Sequence, residues 1–374
     1  MKKLLFLLFA GLLVTACTNT DDDMPNIDDP GDPSDPVANC EIIEISGHIN
    51  EPMVWEEGFV YVIDGFDVTI NSVVTIEPGA IIKVRNARIS VSNEGKILAE
   101  GTADKRIVFT SLADDRYCGD TNGDGDATGP EKGHWVSLRL NGSVGSVFKY
   151  VDIFYAGQPS GGSNKAVDIG WQQSTSFTFD HCRIAHTMGG NANASYAFSG
   201  TGYMKDASVS KFTNNALYDN GRPIYFNAFY QLDPSNVFHN PEDPSVTNTR
   251  NGIFMDTNTG SSGLSVNWNN TEVPYVTDYV SLTGPHPSGT INIGPGVVVK
   301  FANPGGGLQS YNGNVHLDPA AILTSYKDDA HGGDTNGDGN TTTPATGDWK
   351  GFRYTDGGTG SYWINGPNIL YAAN

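Results

Sequence analysis

From Phe59 onward the chain is written in short runs of β-branched and aromatic residues. Examples are Phe59-Val60-Tyr61-Val62-Ile63, Asp67-Val68-Thr69-Ile70, Ile81-Ile82-Lys83-Val84, Arg88-Ile89-Ser90-Val91 and Arg106-Ile107-Val108-Phe109-Thr110. Each is bounded by Gly, Asn, Asp or Pro, and so predicts a short strand. Long helical periodicity is hard to find. Without helices to serve as crossovers, the choices are an antiparallel sandwich, a propeller or a parallel β-solenoid. Two-residue hairpin signals are scarce while strand-like runs recur along the whole chain, which favours the solenoid. The middle is rich in Asn: Asn191 and Asn193, Asn214-Asn215, Asp219-Asn220, Asn269-Asn270. Asn tolerates the left-handed backbone of a solenoid corner, and its amide can pair with an equivalent residue one coil away.

A second feature is a duplication. Thr110 to Trp135 reads TSLADDRYCGDTNGDGDATGPEKGHW, and Thr324 to Trp349 reads TSYKDDAHGGDTNGDGNTTTPATGDW. Every shared residue lies 214 positions further on (324 minus 110). Both copies carry two adjacent acids, then GDTNGDG, a Pro and Gly-x-Trp. Upstream, Val74 to Val84 aligns with Ile291 to Phe301, including Pro78-Gly79 against Pro295-Gly296, which suit tight corners. The layout is one copy over 61–156, a unique middle over 157–274, and a second copy over 275–374.

The first residues read as a targeting signal. Lys2 and Lys3 precede an apolar run, Leu4 to Val14, too short to span a membrane as a helix. The run ends Leu13-Val14-Thr15-Ala16-Cys17, which resembles a bacterial lipobox. The resemblance implies cleavage after residue 16 and an outer-membrane lipoprotein anchored through Cys17. Residues 17–39 form an acidic, Pro-rich tether; 18–39 hold seven Asp and four Pro, which cannot build a core. Asp21-Asp22-Asp23 resembles the surface-export signals of Bacteroidetes lipoproteins, implying cell-surface exposure. The domain proper is 40–374. The formal charge of −20 argues against a nucleic-acid partner and suits cations. Cys40, Cys118 and Cys182 allow one disulfide, but their odd number fixes no pairing.

Taken together, Ile76-Glu77-Pro78-Gly79, Gly101-Thr102-Ala103-Asp104-Lys105 and Ile107-Val108-Phe109-Thr110-Ser111, followed by GDTNGDG and Gly133-His134-Trp135, resemble secreted right-handed parallel β-helix proteins of Bacteroidetes. The second copy departs from the pattern, reading Asp318-Pro319-Ala320-Ala321 where the first has Gly-Thr-Ala-Asp-Lys. The resemblance implies an all-β, pectate-lyase-like right-handed parallel β-helix of three short strands per turn. A repeat of 20–25 residues would give roughly 13–16 coils.

Asp120-x-Asn122-x-Asp124-Gly125 has the spacing of a calcium loop, with oxygens at alternate positions and Gly at the sharp turn. Its counterpart is Asp334, Asn336 and Asp338. Glu131 stands at the twelfth position of the first copy but Ala345 in the second, so an EF-hand ligand set cannot be common to both. The shared candidates for the remaining ligands are Asp114 and Asp115, and Asp328 and Asp329. Two structural calcium sites are therefore expected. A catalytic role is disfavoured because Arg116, a candidate base, becomes Ala330 in the second copy. Trp135 and Trp349 should pack at the loop bases. Asp152, Asp168, Asp180, Asp206 and Asp219 are scattered through the middle rather than paired as in glycosidases. His181, Cys182 and His186 could share a metal only across a turn. Trp171, Tyr203, Tyr225, Tyr230 and Trp268 are candidate glycan contacts, the alternative being that they fill the core. The expected function is a lipid-anchored surface protein that binds a polysaccharide or host-surface glycan without catalysis. The alternative is a polysaccharide lyase or glycoside hydrolase acting on an acidic polysaccharide.

Overall fold

The computed structural model describes residues 40–374 apart from 161–163, 171–173, 189–194, 201–207, 257–264, 278–281, 284–288 and 358–359. Residues 1–39, which include the expected signal, Cys17 and the expected tether, lie outside the described residues, as do Trp171, Tyr203 and Asp206.

Most strands pair in parallel with the strand three elements further on rather than with their sequence neighbours. Phe59–Asp64 pairs with Ile81–Arg85, Val68–Ile70 with Arg88–Val91, and Val73–Ile76 with Lys96–Glu100. The chain is thus a parallel β-helix with three strands per coil and three faces. The first face runs from Glu41–Glu44 to Ala216–Tyr218, the second from Val68–Ile70 to Ile322–Ser325, and the third from Met53–Trp55 to Lys211–Thr213. Beyond these, a three-stranded sheet (Val266–Trp268, Ile291–Ile293, Val315–Leu317) and a four-stranded sheet (Leu282–Thr283, Leu308–Tyr311, Phe352–Asp356, Gly360–Ile364) complete the later coils. The final pair, Phe352–Asp356 with Gly360–Ile364, is antiparallel.

Alternate strand positions point to opposite faces, so in-register stacking lines up one ladder of side chains inside. On the second face the inner ladder is Val68, Ile89, Leu138, Val167, Phe198, Ile224, Ile253, Tyr275, Val299 and Leu323. All ten are buried. On the third face Phe148 stacks on Phe179 at 4.5 Å. The ten strands of the second face are fewer than the 13–16 coils expected. A bare coil takes 21 residues, as from Val60 to Ile81, but Ile89 to Leu138 takes 49 (138 minus 89) because the first acidic loop leaves the helix there.

The corners explain the Asn-rich middle. Tyr155, His186 and Asp219 occupy one corner on three successive coils, all left-handed at φ 61°, 55° and 49°. Tyr155 and His186 stack their rings at 5.2 Å. The residue after the corner is a buried Asn in the later coils. Asn220 Nδ2 donates to Asn248 Oδ1 at 2.9 Å, and at the other corner Asn215 Nδ2 donates to Asn236 Oδ1 at 3.0 Å. Each ladder also caps carbonyls of the coil before it: Asn220 donates to Ile184 O, and Asn248 to Leu217 O. Gly79 and Gly296 are left-handed at φ 87° and 74°, as the Pro-Gly corners require.

Cys40 and Cys118 form a disulfide, with Cα atoms 5.6 Å apart, tying the start of the domain to the first acidic loop. Cys182 is a buried free thiol, pushed up to about 12 by burial.

Candidate metal centres

The two acidic loops have the same seat. The outer ladder of the first face reads Val62, Lys83, Thr110; that of the second face reads Val276, Lys300, Thr324. The loops follow Thr110 and Thr324 and fold back over these ladders. At equivalent positions, Leu112 packs on Val60 and Val62, and Tyr326 on Tyr196, Phe254 and Val276. Trp135 and Trp349 are fully buried at the loop ends, each Nε1 donating to a carbonyl of the next coil, Phe154 O at 2.7 Å and Leu370 O at 2.8 Å. Trp349 also stacks on Phe301 at 4.1 Å.

Within GDTNGDG the first Asp organises the turn. Asp120 accepts backbone N–H groups from Gly123, Asp124 and Gly125, and Asp334 accepts those of Asp338 and Gly339. Gly119, Gly123 and Gly125, like Gly333, Gly337 and Gly339, are all left-handed, which accounts for their retention. The N–H groups, that of Gly125 foremost, hold Asp120 below the usual carboxylate range. Asn122 and Asn336 donate to Asp124 Oδ2 and Asp338 Oδ2 at 2.9 and 2.8 Å.

Asp114 and Asp328, the other candidate ligands, are engaged by neighbouring side chains, and Asp328 is not among the three acids whose oxygens come together in the second loop. Both are fully buried. Asp114 accepts from Thr110 Oγ1 and from Arg116 Nε (2.8 Å) and NH2 (3.1 Å); Asp328 accepts from Thr324 Oγ1 and pairs with His331 Nδ1 at 2.7 Å. They brace the loop against its strand.

The next residue behaves differently. Asp115 Oδ1 and Asp329 Oδ1 are buried and have no hydrogen-bond partner, and the same holds for Asn122 Oδ1 in the first loop. Burial raises the pKa of both carboxylates, and neighbouring acids push the same way: Asp120 and Asp124 on Asp115, Asp334 and Asp338 on Asp329. In the second loop, carboxylate oxygens of Asp329, Asp334 and Asp338 lie within 4.8 Å of one another. Two oxygens bound to one calcium at 2.3–2.6 Å are at most about 5 Å apart, so this spacing fits that ion. The first loop does not gather Asp115, Asp120 and Asp124 as closely. The donors are all hard oxygens, with neither imidazole nor thiolate among them, and suit calcium rather than zinc.

Sequence reasoning missed Lys83 and Lys300. Both are fully buried. Lys83 Nζ donates to Gly119 O (2.8 Å) and Thr121 Oγ1 (2.7 Å); Lys300 Nζ donates to Gly333 O (2.7 Å) and Thr335 Oγ1 (2.9 Å). Burial brings both amines down to about 8, opposed by the loop acids. The available signal was a Lys at the same place in both aligned strands, at a position that looks merely solvent-facing.

Two candidate glycan contacts are core residues. Trp268 is 1% exposed and stacks on Tyr275 at 5.1 Å; Tyr230 is 2% exposed and donates its hydroxyl to Ser210 O. Their rings close the inside of the helix and offer no face to a sugar. Tyr225 is half-buried and stacked on Tyr196 at 4.6 Å. His181 and His186 occupy opposite corners on either side of Arg183–Ala185 and are not brought together.

The fold and the paired loops thus define a class: a parallel β-helix bearing two oxygen-rich loops on one structural plan. No family model, no curated protein and no solved structure matches the chain.

Proposed function

We propose that this protein is a calcium-clamped β-helical scaffold, carried at the cell surface on a lipid at Cys17, that binds a glycan without processing it. The observation that carries the calcium reading is the orphaned carboxylate oxygen at the same position of both loops, Asp115 and Asp329. Asp120, Asn122 and Asp124 would complete the first site, and Asp334, Asn336 and Asp338 the second. Bound calcium would supply the charge that an unpaired buried carboxylate lacks.

Non-catalytic binding is supported by the described acids of the middle coils, which are all engaged. Asp152 is held by Arg106 and Arg183, Asp168 by Lys165 and Arg139, and Asp219 by His186 and Lys132. Asp180 accepts from Thr213 and Asn214. Tyr362 on the last hairpin, at 60% exposure, stacks one ring face on Tyr354 at 5.0 Å and would present the other to a sugar.

Calorimetry on chelator-treated protein should show two equivalents of calcium bound and a higher melting temperature. Absence of both would end the calcium reading. A glycan array with a product assay on acidic polysaccharides tests the rest; release of unsaturated oligosaccharides would replace binding by lyase activity.

A further inference from the structure

Each acidic loop already contains a cation that belongs to the chain. Lys83 and Lys300 reach the loops from the coil before, from strands in register with Thr110 and Thr324. A Lys is almost never fully buried unless its charge is matched. Here the ammonium brackets the first Asp of the motif, bonding the carbonyl just before it and the hydroxyl just after it, in both copies.

The comparison of copies separates this contact from its surroundings. Arg116 becomes Ala330, Glu131 becomes Ala345, and disulfide-bonded Cys118 becomes Gly332. Even the face changes: Lys83 lies on the first face and Lys300 on the second. The lysine, its two acceptors, the Thr–Asp brace and the acid with the orphaned oxygen all persist. A loop folded by metal alone would have no use for a buried ammonium beside its ligands, where the positive charge opposes a second cation.

We propose that Lys83 and Lys300 are internal counter-ions that fold the two loops without metal. A metal then acts only where the orphaned oxygens of Asp115 and Asp329 lie. The inference concerns the loop framework; only its last experimental arm rests on the calcium reading.

Hydrogen exchange on the full chain in chelator reads it out. In the native protein, the amides of Gly123, Asp124 and Gly125, and of Asp338 and Gly339, should be protected. Lys83→Met should speed exchange over residues 119–128 by about tenfold or more, leaving 333–342 unchanged, because two bonds to the loop are lost. Lys300→Met should do the reverse. If Lys83→Met also opens the strand Ile81–Arg85, Lys83→Gln, which keeps a donor but not the charge, gives the same comparison in a folded chain. Unprotected loops in the native protein under chelator, or unchanged protection in both lysine variants, would overturn the proposal. Adding millimolar calcium to Lys83→Met should restore protection. If it does not while the variant remains open, the calcium reading fails and the lysine assignment stands.

Discussion

Asn220→Ala tests whether the buried amide ladders, and not only the apolar lumen, hold the middle coils together. Asn220 is fully buried. Its Nδ2 donates to Ile184 O at 2.9 Å and Asn248 Oδ1 at 2.9 Å; its Oδ1 accepts from Thr187 N at 3.2 Å and Thr187 Oγ1 at 2.8 Å. Truncation removes four hydrogen bonds where water does not reach; of the groups left behind, Asn248 Oδ1 keeps a partner, the Asn220 backbone N–H. At about 1 kcal/mol for each lost bond, the variant should be less stable by about 4 kcal/mol. Asn267→Ala is the matched control. It also sits in an Asn ladder, accepting from Asn292 Nδ2 at 2.8 Å, but on the exposed outer surface. There water replaces the lost bonds, and the change should stay within about 0.5 kcal/mol. Urea unfolding followed by tryptophan fluorescence gives both values, with the slope m unchanged if only the folded state is affected. Equal losses for the two variants, or less than about 1 kcal/mol for Asn220→Ala, would show that burial is not what gives these amides their worth.

Other outcomes follow from single features. Replacing Cys40 and Cys118 by Ala frees a span of 78 residues in the unfolded chain; chain entropy sets the loss at up to about 4.5 kcal/mol, readable as a lower urea midpoint. Trp349→Ala removes the Phe301 stack and the bond to Leu370 O, and should lower stability by about 3–5 kcal/mol in the same assay. Asp334→Asn combined with Asp338→Asn should reduce calcium bound per chain from two to one by calorimetry, leaving the first loop intact. Cys182 should resist alkylation in the native chain and react once it is unfolded. Its pKa is raised from 9.0 to about 12 in the folded state, so its contribution to stability is complete below pH 9 and is lost as pH climbs towards 12; the unfolded thiol ionises first. A native thiol that alkylates as fast as the unfolded one at pH 8 would contradict that burial.

Much of the architecture could be read from local chemistry. The alternation in Ile81-Ile82-Lys83-Val84 and its relatives states which side chain goes in, and three short runs per coil state how the chain returns. The Gly positions of GDTNGDG likewise carried their own reason, since each proves left-handed. What escaped depends on contacts between coils. Asp114 and Asp115 are neighbours of the same type, yet one is consumed by Thr110 and Arg116 while the other keeps a bare oxygen. Nothing in the sequence separates them, because the difference lies in which way the loop folds over the sheet. Trp268 and Tyr230 could equally have faced out; only the register settled them inside. The pairing of Cys40 with Cys118 required knowing that the first strand and the first loop share an edge of the same face.

The change of face between the copies has a geometric consequence. The strand before the first loop lies on the first face and the strand before the second loop on the second. Along the second face, Leu138 and Leu323 bracket seven steps, about 34 Å at ordinary strand spacing. The loops are therefore related by a screw displacement, not by a translation. A partner that engaged both would follow a helical path around the shaft.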